Sequence, residues 1–289
     1  MSSAFLKAAL GGIVPPIAVS SLCLAPLLRR GDGTPRAAGL YGALALGLGA
    51  AAGSLFVLGG FEGVQRPVSV LQRLFWVGGI GAAAGVVEAL LAKRTLLRVA
   101  ARLAITGGLF YWILGFVREH QWEGNEAVMW MTGLTLATCA VWTALDAIAK
   151  RRPGPGLPLA LCAAVSGTAG ALAISGSGSL GQTAGALAAA LGPAFVLCAL
   201  RRDVTLERAL APFALLFACL LLGGHYAADL PASAALLCGA SPLLAGLVLL
   251  LSGRLRPWLA VVAALIVVLA ATGGAAWLGY TPTPDNPYY

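Results

Sequence analysis

Long apolar runs alternate with short polar breaks ten times along the chain. The runs predict helices over 4–28, 37–60, 74–92, 97–117, 127–148, 157–176, 180–200, 208–225, 231–252 and 256–279. Each is close to the ~20 residues a helix needs to cross a ~30 Å hydrocarbon layer. In that layer the backbone has no water to bond to, so a run of this length is helical by default. Lys7 precedes the first run, and Ser21-Leu22-Cys23 is a poor lipobox, so this run is read as a retained membrane helix rather than a cleaved leader. The last stretch, from Tyr280 to Tyr289, is too rich in breakers to be helical. The expected fold class is all-α: a polytopic integral membrane protein of about ten transmembrane helices, forming a single transmembrane domain over 1–289.

Composition agrees with that pattern. Apolar residues make up 59% of the chain, glycine adds 38 residues, and only 10% are charged, too few to coat a soluble fold of this size. A cytosolic globular enzyme, a disordered chain and a nucleic-acid-binding domain are thereby excluded as classes. The formal charge of +8 takes its meaning from position. Fifteen of the 19 Lys and Arg fall in the odd-numbered connections, among them Arg29, Arg36, Lys93, Arg94, Arg98, Arg102, Lys150, Arg152, Arg201 and Arg256. By the positive-inside bias those connections face the cytoplasm and both termini lie outside. Trp76, Trp112, Trp122, Trp130, Trp277, Tyr226 and Tyr280 fall near the opposite helix ends, as an interfacial aromatic belt would. The Ala/Gly/Arg-rich composition suggests a bacterial inner membrane.

The segment Lys150–Pro158 divides the chain into 1–152 and 153–289, each with five helices. Five is odd, so two such halves would enter the membrane from opposite sides, the inverted-repeat arrangement of many secondary transporters. The sequence trace of a repeat is slight: Leu71-Gln72-Arg73 before the third helix and Leu206-Glu207-Arg208 before the eighth. Helix number and size resemble the drug/metabolite transporter superfamily. That family has cytoplasmic termini and no motif is shared, so no family is assigned.

Candidate chemistry is sparse. The fifth helix carries Thr132, Thr135, Cys139, Thr143 and Asp146 on one face about 80° wide, a polar stripe able to line a solute path or to bond neighbouring helices. Pro15 and Pro16, beside Gly11 and Gly12, are the strongest expected interruption of a helix, either a kink that serves packing or a broken helix that joins the candidate path. Pro212 is expected inside the eighth helix. Glu88 and Asp146, each about one turn from a cytoplasmic helix end, are expected either to pair locally with Lys93, Arg94 and Lys150 or to line a cytoplasmic vestibule. No charge is expected at mid-membrane. On the outer side, His120, Glu123, His225 and Asp229 could form a metal or acid–base site if their loops meet. Small-residue pairs such as Gly49/Gly53, Gly81/Gly85 and Gly181/Gly185 suit close helix packing or a homodimer. The six cysteines have no metal-ligand spacing; no catalytic set, resident metal or cofactor is expected.

Three functional classes remain: a permease-like transporter of a small neutral or weakly polar solute, a non-catalytic subunit or scaffold with a protein partner, and an intramembrane enzyme acting at the outer face. The lipid bilayer is the expected surrounding in all three, and nucleic acid a partner in none.

Overall fold

A computed structural model describes residues 3–29, 35–64, 67, 69–201, 204–252 and 256–280. The segment 281–289, and Arg30, Arg66, Arg202 and Arg254 of the charge pattern, lie outside the described residues. The described chain is helical and contains no strand: α1 (Ser3–Arg29), α2 (Pro35–Val57), α3 (Val70–Leu90), α4 (Thr95–Ile113), the short α5 (Gly115–His120), α6 (Gly124–Arg151), α7 (Gly156–Ile174), α8 (Gly178–Leu200), α9 (Ala211–Ala227), α10 (Ala232–Leu251) and α11 (Pro257–Tyr280). Eight of these, α2, α3, α4, α6, α7, α8, α10 and α11, are long and apolar enough to cross a membrane. The apolar part of α1, Gly12–Leu28, and the whole of α9 are shorter. Seventeen residues of α9 rise about 26 Å, short of a full hydrocarbon layer.

Helix ends depart from expectation where local chemistry overrides hydropathy. α3 starts at Val70 rather than 74 because Ser69 and Gln72 form a reciprocal capping box, each side chain accepting from the other's backbone N–H. The fourth expected span, 97–117, is divided at Leu114, after which Gly115 opens α5. Of the two outcomes expected at Pro15-Pro16, the broken helix does not occur: α1 is one helix, with Pro15, Pro16 and Pro26 inside it. Pro212 is not an interior proline either. It lies in the first turn of α9, where the missing N–H has no intrahelical acceptor to lose.

Glycine and alanine set the packing. Gly47 of α2 and Gly78 of α3 approach so closely that a Cβ on Gly47 would lie 2.6 Å from the Gly78 carbonyl oxygen. Gly81 of α3 abuts Pro212 of α9, and Gly85 abuts Ala43 of α2. Gly49 and Gly53 receive Pro16 and Ser20 of α1 on one side and Ala186 and Ala190 of α8 on the other. The Ser20 hydroxyl also donates to the Ala45 carbonyl at 2.8 Å. These small-residue faces are used within the chain, bringing α1, α2, α3, α8 and α9 into contact. A second block pairs α7 with α8 and α11, and α10 with α11. α4 packs mainly on α6, α6 also contacts α10 and α9, and α6 is the least buried of the eight apolar helices.

Arginines close several helix ends. Arg73 donates from Nη1 to the carbonyls of Trp112 (2.7 Å) and Ile113 (3.0 Å), the last of α4. Arg152 donates to the Leu250 carbonyl at 3.1 Å near the end of α10. The Arg201 guanidinium lies 3.3 Å from the Leu27 carbonyl near the end of α1. A cation at a helix C-terminus satisfies orphan carbonyls and faces the negative end of the dipole. Arg73→Ala should therefore destabilise the protein by about 1–2 kcal/mol, and hydrogen exchange should quicken at the last turn of α4 while α7 and α8 stay protected.

Candidate functional site

Three charged side chains from three helices meet inside the described fold. Glu88 comes from the last turn of α3, Arg102 from the second turn of α4 and Asp146 from α6, one turn before its basic end. They are 2%, 3% and 9% exposed. Arg102 lies seven residues inside α4, about 10 Å along the helix axis from Thr95.

The guanidinium is almost fully used. Nε donates to Oε1 of Glu88, and Nη2 donates both to Oε2 of Glu88 at 2.8 Å and to Oδ2 of Asp146. Nη1 donates to the Thr143 hydroxyl at 2.8 Å. Four of its five N–H groups are thus directed to acceptors, and the forked contact with Glu88 is the geometry Arg favours with a carboxylate. Beneath it the Trp142 ring lies 4.6 Å from Cζ, giving the cation an aromatic face as well. Asp146 has a further donor on its other oxygen: the backbone N–H of Arg208, at 3.3 Å. Arg208 has φ 67°, a left-handed conformation uncommon outside glycine. Gly39 of α2 leaves room for this turn, since a Cβ there would stand 3.1 Å from the Arg208 Cβ.

The polar stripe of α6 runs into this cluster from the other end of the helix. Thr143 donates to the Cys139 carbonyl at 2.7 Å, and the Cys139 thiol lies 3.6 Å from the Thr106 hydroxyl of α4. Thr135 faces Gly107 of α4. Thr132 is exposed. So the lower stripe faces α4 and joins it to α6. Pro16 is remote from the stripe, packed against Gly53.

Glu88 and Asp146 are brought together, but their partner is Arg102 rather than Lys93, Arg94 or Lys150, which are exposed. Arg102 bears on the expectation of no charge at mid-membrane, since it lies about 10 Å inside α4. In the charge pattern Arg102 falls with the basic connection before α4, although it lies five residues inside even the expected span 97–117. The signal was present: an arginine two turns into an apolar helix needs a counter-charge, and the two carboxylates nearest the same end were its candidates.

On the other side the two loops do meet, through an edge-on contact of Trp122 with Tyr226 at 5.7 Å. The histidines are engaged elsewhere. His120 Nδ1 is 3.0 Å from the Phe116 carbonyl, and its ring stacks on Phe116. His225 Nδ1 is 2.9 Å from the Leu230 carbonyl. Glu123 and Asp229 are exposed. Among the described residues, no three His, Cys, Asp or Glu side chains are grouped as a metal site would require. No family model matches the chain, and no curated protein or solved structure was found to be similar to it.

Proposed function

We propose that this chain is a permease-like transporter of a small neutral or weakly polar solute, in which the α4–α6 pair moves against the rest of the bundle and the Glu88–Arg102–Asp146 cluster fastens it in one position. The carrying observation is that a buried ionic cluster ties a loosely packed helix pair to the core formed by α3 and the turn before α9. A purely structural contact at such a place could be apolar at no loss of stability, whereas a charged one can be opened and remade. In this reading Thr135, Cys139 and Thr143 hold α4 to α6 as the pair moves, and the solute path opens between that pair and the core. Glu88 and Asp146 stand at its cytoplasmic mouth, as a lock rather than an open vestibule.

An inverted repeat draws partial support from helix pairing. A two-fold relating 1–152 to 153–289 would map α2–α8 and α3–α9 onto themselves, and both pairs pack; α1–α2 has its counterpart in α7–α8. The extensive α7–α11, α1–α8 and α2–α3 contacts have no comparable counterparts in α1–α6, α2–α7 and α8–α9, so the pairing argues against a close two-fold relation between the halves. Ten crossings, outer termini and an inner-membrane location belong to the same proposal.

Vesicles containing the reconstituted protein should accumulate at least one member of a panel of radiolabelled uncharged and zwitterionic metabolites. In a background with the native cysteines replaced, Ile148→Cys with Gly246→Cys pairs two residues that touch between α6 and α10. Oxidation should stop uptake and reductant should restore it. Uptake no greater than in protein-free vesicles across the whole panel would remove the transporter reading. The second reading, a membrane subunit with a protein partner, is favoured by the outward apolar surface of α4 and α6, with Leu96, Tyr111, Val128, Met129 and Leu136 all exposed. An outer-face enzyme draws no support from His120 and His225, each of which faces a nearby carbonyl.

A further inference from the structure

We infer that the turn between α3 and α4 binds the phosphate headgroup of an anionic phospholipid. A cleft of about 350 Å³ lies against this turn, lined by Ala89, Leu90, Leu91, Ala92, Lys93 and Arg94. One turn into α4, Arg98 directs a buried Nε–H at no acceptor among the described residues. None of Lys93, Arg94 and Arg98 makes an ion pair there. The nearest carboxylate on these helices, Glu88, is already held by Arg102. Lys93 and Arg94 therefore border the cleft, with Arg98 one turn further along α4, and none of the three has a counter-charge among the described residues; the missing partner is an anion with several acceptor oxygens.

The surroundings select a lipid over a free anion. Leu90 and Leu96 are 59% and 87% exposed, and Leu97 and Val99 are exposed as well. Cations on a turn that joins two membrane-capable helices sit at headgroup depth, with these leucines beside the acyl chains. A phosphodiester carrying two chains meets both halves of the site. Inorganic phosphate meets only the first.

The test is native mass spectrometry of protein extracted in mild detergent from bilayers of phosphatidylethanolamine and phosphatidylglycerol. The wild type should retain phosphatidylglycerol preferentially. K93Q/R94Q/R98Q should lower that retention at least about tenfold, while K150Q/R151Q, at the end of α6, should leave it unchanged. A photoactivatable phosphatidylglycerol gives a second readout on the unaltered chain, and its label should fall within residues 89–99. Equal retention by the triple variant and the wild type, or labelling confined to other segments, would overturn the site. Displacement of the lipid by millimolar inorganic phosphate would assign the cleft to a free anion and overturn the lipid.

Discussion

Arg102→Ala should be the most damaging single substitution at a charged position, lowering stability by about 3–5 kcal/mol. The substitution leaves Glu88 and Asp146 buried, mutually repelling and without their common cation. It also deprives Thr143 of its donor and uncovers one face of Trp142. The loss should appear as a lower midpoint of thermal unfolding in detergent and as faster proteolysis at the α4–α5 junction. Neutralising the whole cluster should behave differently. Arg102→Leu combined with Glu88→Gln and Asp146→Asn removes the uncompensated charge and should recover most of the stability lost by Arg102→Ala. If the cluster only holds helices together, the neutral triple variant should also retain transport. If it is a lock that must open and close, the triple variant should be stable and inactive. A full-strength Arg102→Ala protein would contradict the buried triad itself.

The membrane character was legible because it rests on run length, a property no local interaction can hide. Each of the ten expected runs is helical, the fourth divided between α4 and α5, and eight of the helices are long and apolar enough to span. What escaped was everything decided by one side chain finding another. Ser69 and Gln72 moved the start of α3 by a reciprocal cap that hydropathy does not register. Pro212 reads as a breaker in an apolar run until the left-handed turn at Arg208 shows that the helix begins just before it. The site was half legible. Both carboxylates stood out, but Arg102 was masked by its neighbours Arg94 and Arg98, which share its four-residue spacing and a topological explanation. Only the packing of α3, α4 and α6 distinguishes the buried arginine from the two nearer the surface.

Adjacent glycines in α3 should respond in opposite ways to the same methyl group. A Cβ on Gly78 would lie 2.8 Å from the Gly47 carbonyl oxygen and 3.0 Å from the Ala51 Cβ, whereas a Cβ on Gly79 meets nothing within 4 Å. The neighbour at Gly78 is backbone, so no rotamer change can relieve the contact and α2 must move away from α3. Gly78→Ala should cost about 1–3 kcal/mol as an overpacking change, and Gly78→Leu should prevent folding. Gly79→Ala should be neutral or stabilising by up to about 1 kcal/mol, because alanine loses less backbone freedom in a helix. Lipid tails are as apolar as the helix surface, so close van der Waals contact rather than solvent exclusion holds α2 to α3. The displacement should therefore also loosen Gly81 against Pro212 and Gly85 against Ala43, on the same face of α3. Thermal midpoints of the two alanine variants, measured side by side in one detergent, decide the point. Equal midpoints would mean that α2 and α3 do not approach as closely as Gly47 and Gly78 place them, and the packed centre that leaves α4 and α6 at the edge would have to be redrawn.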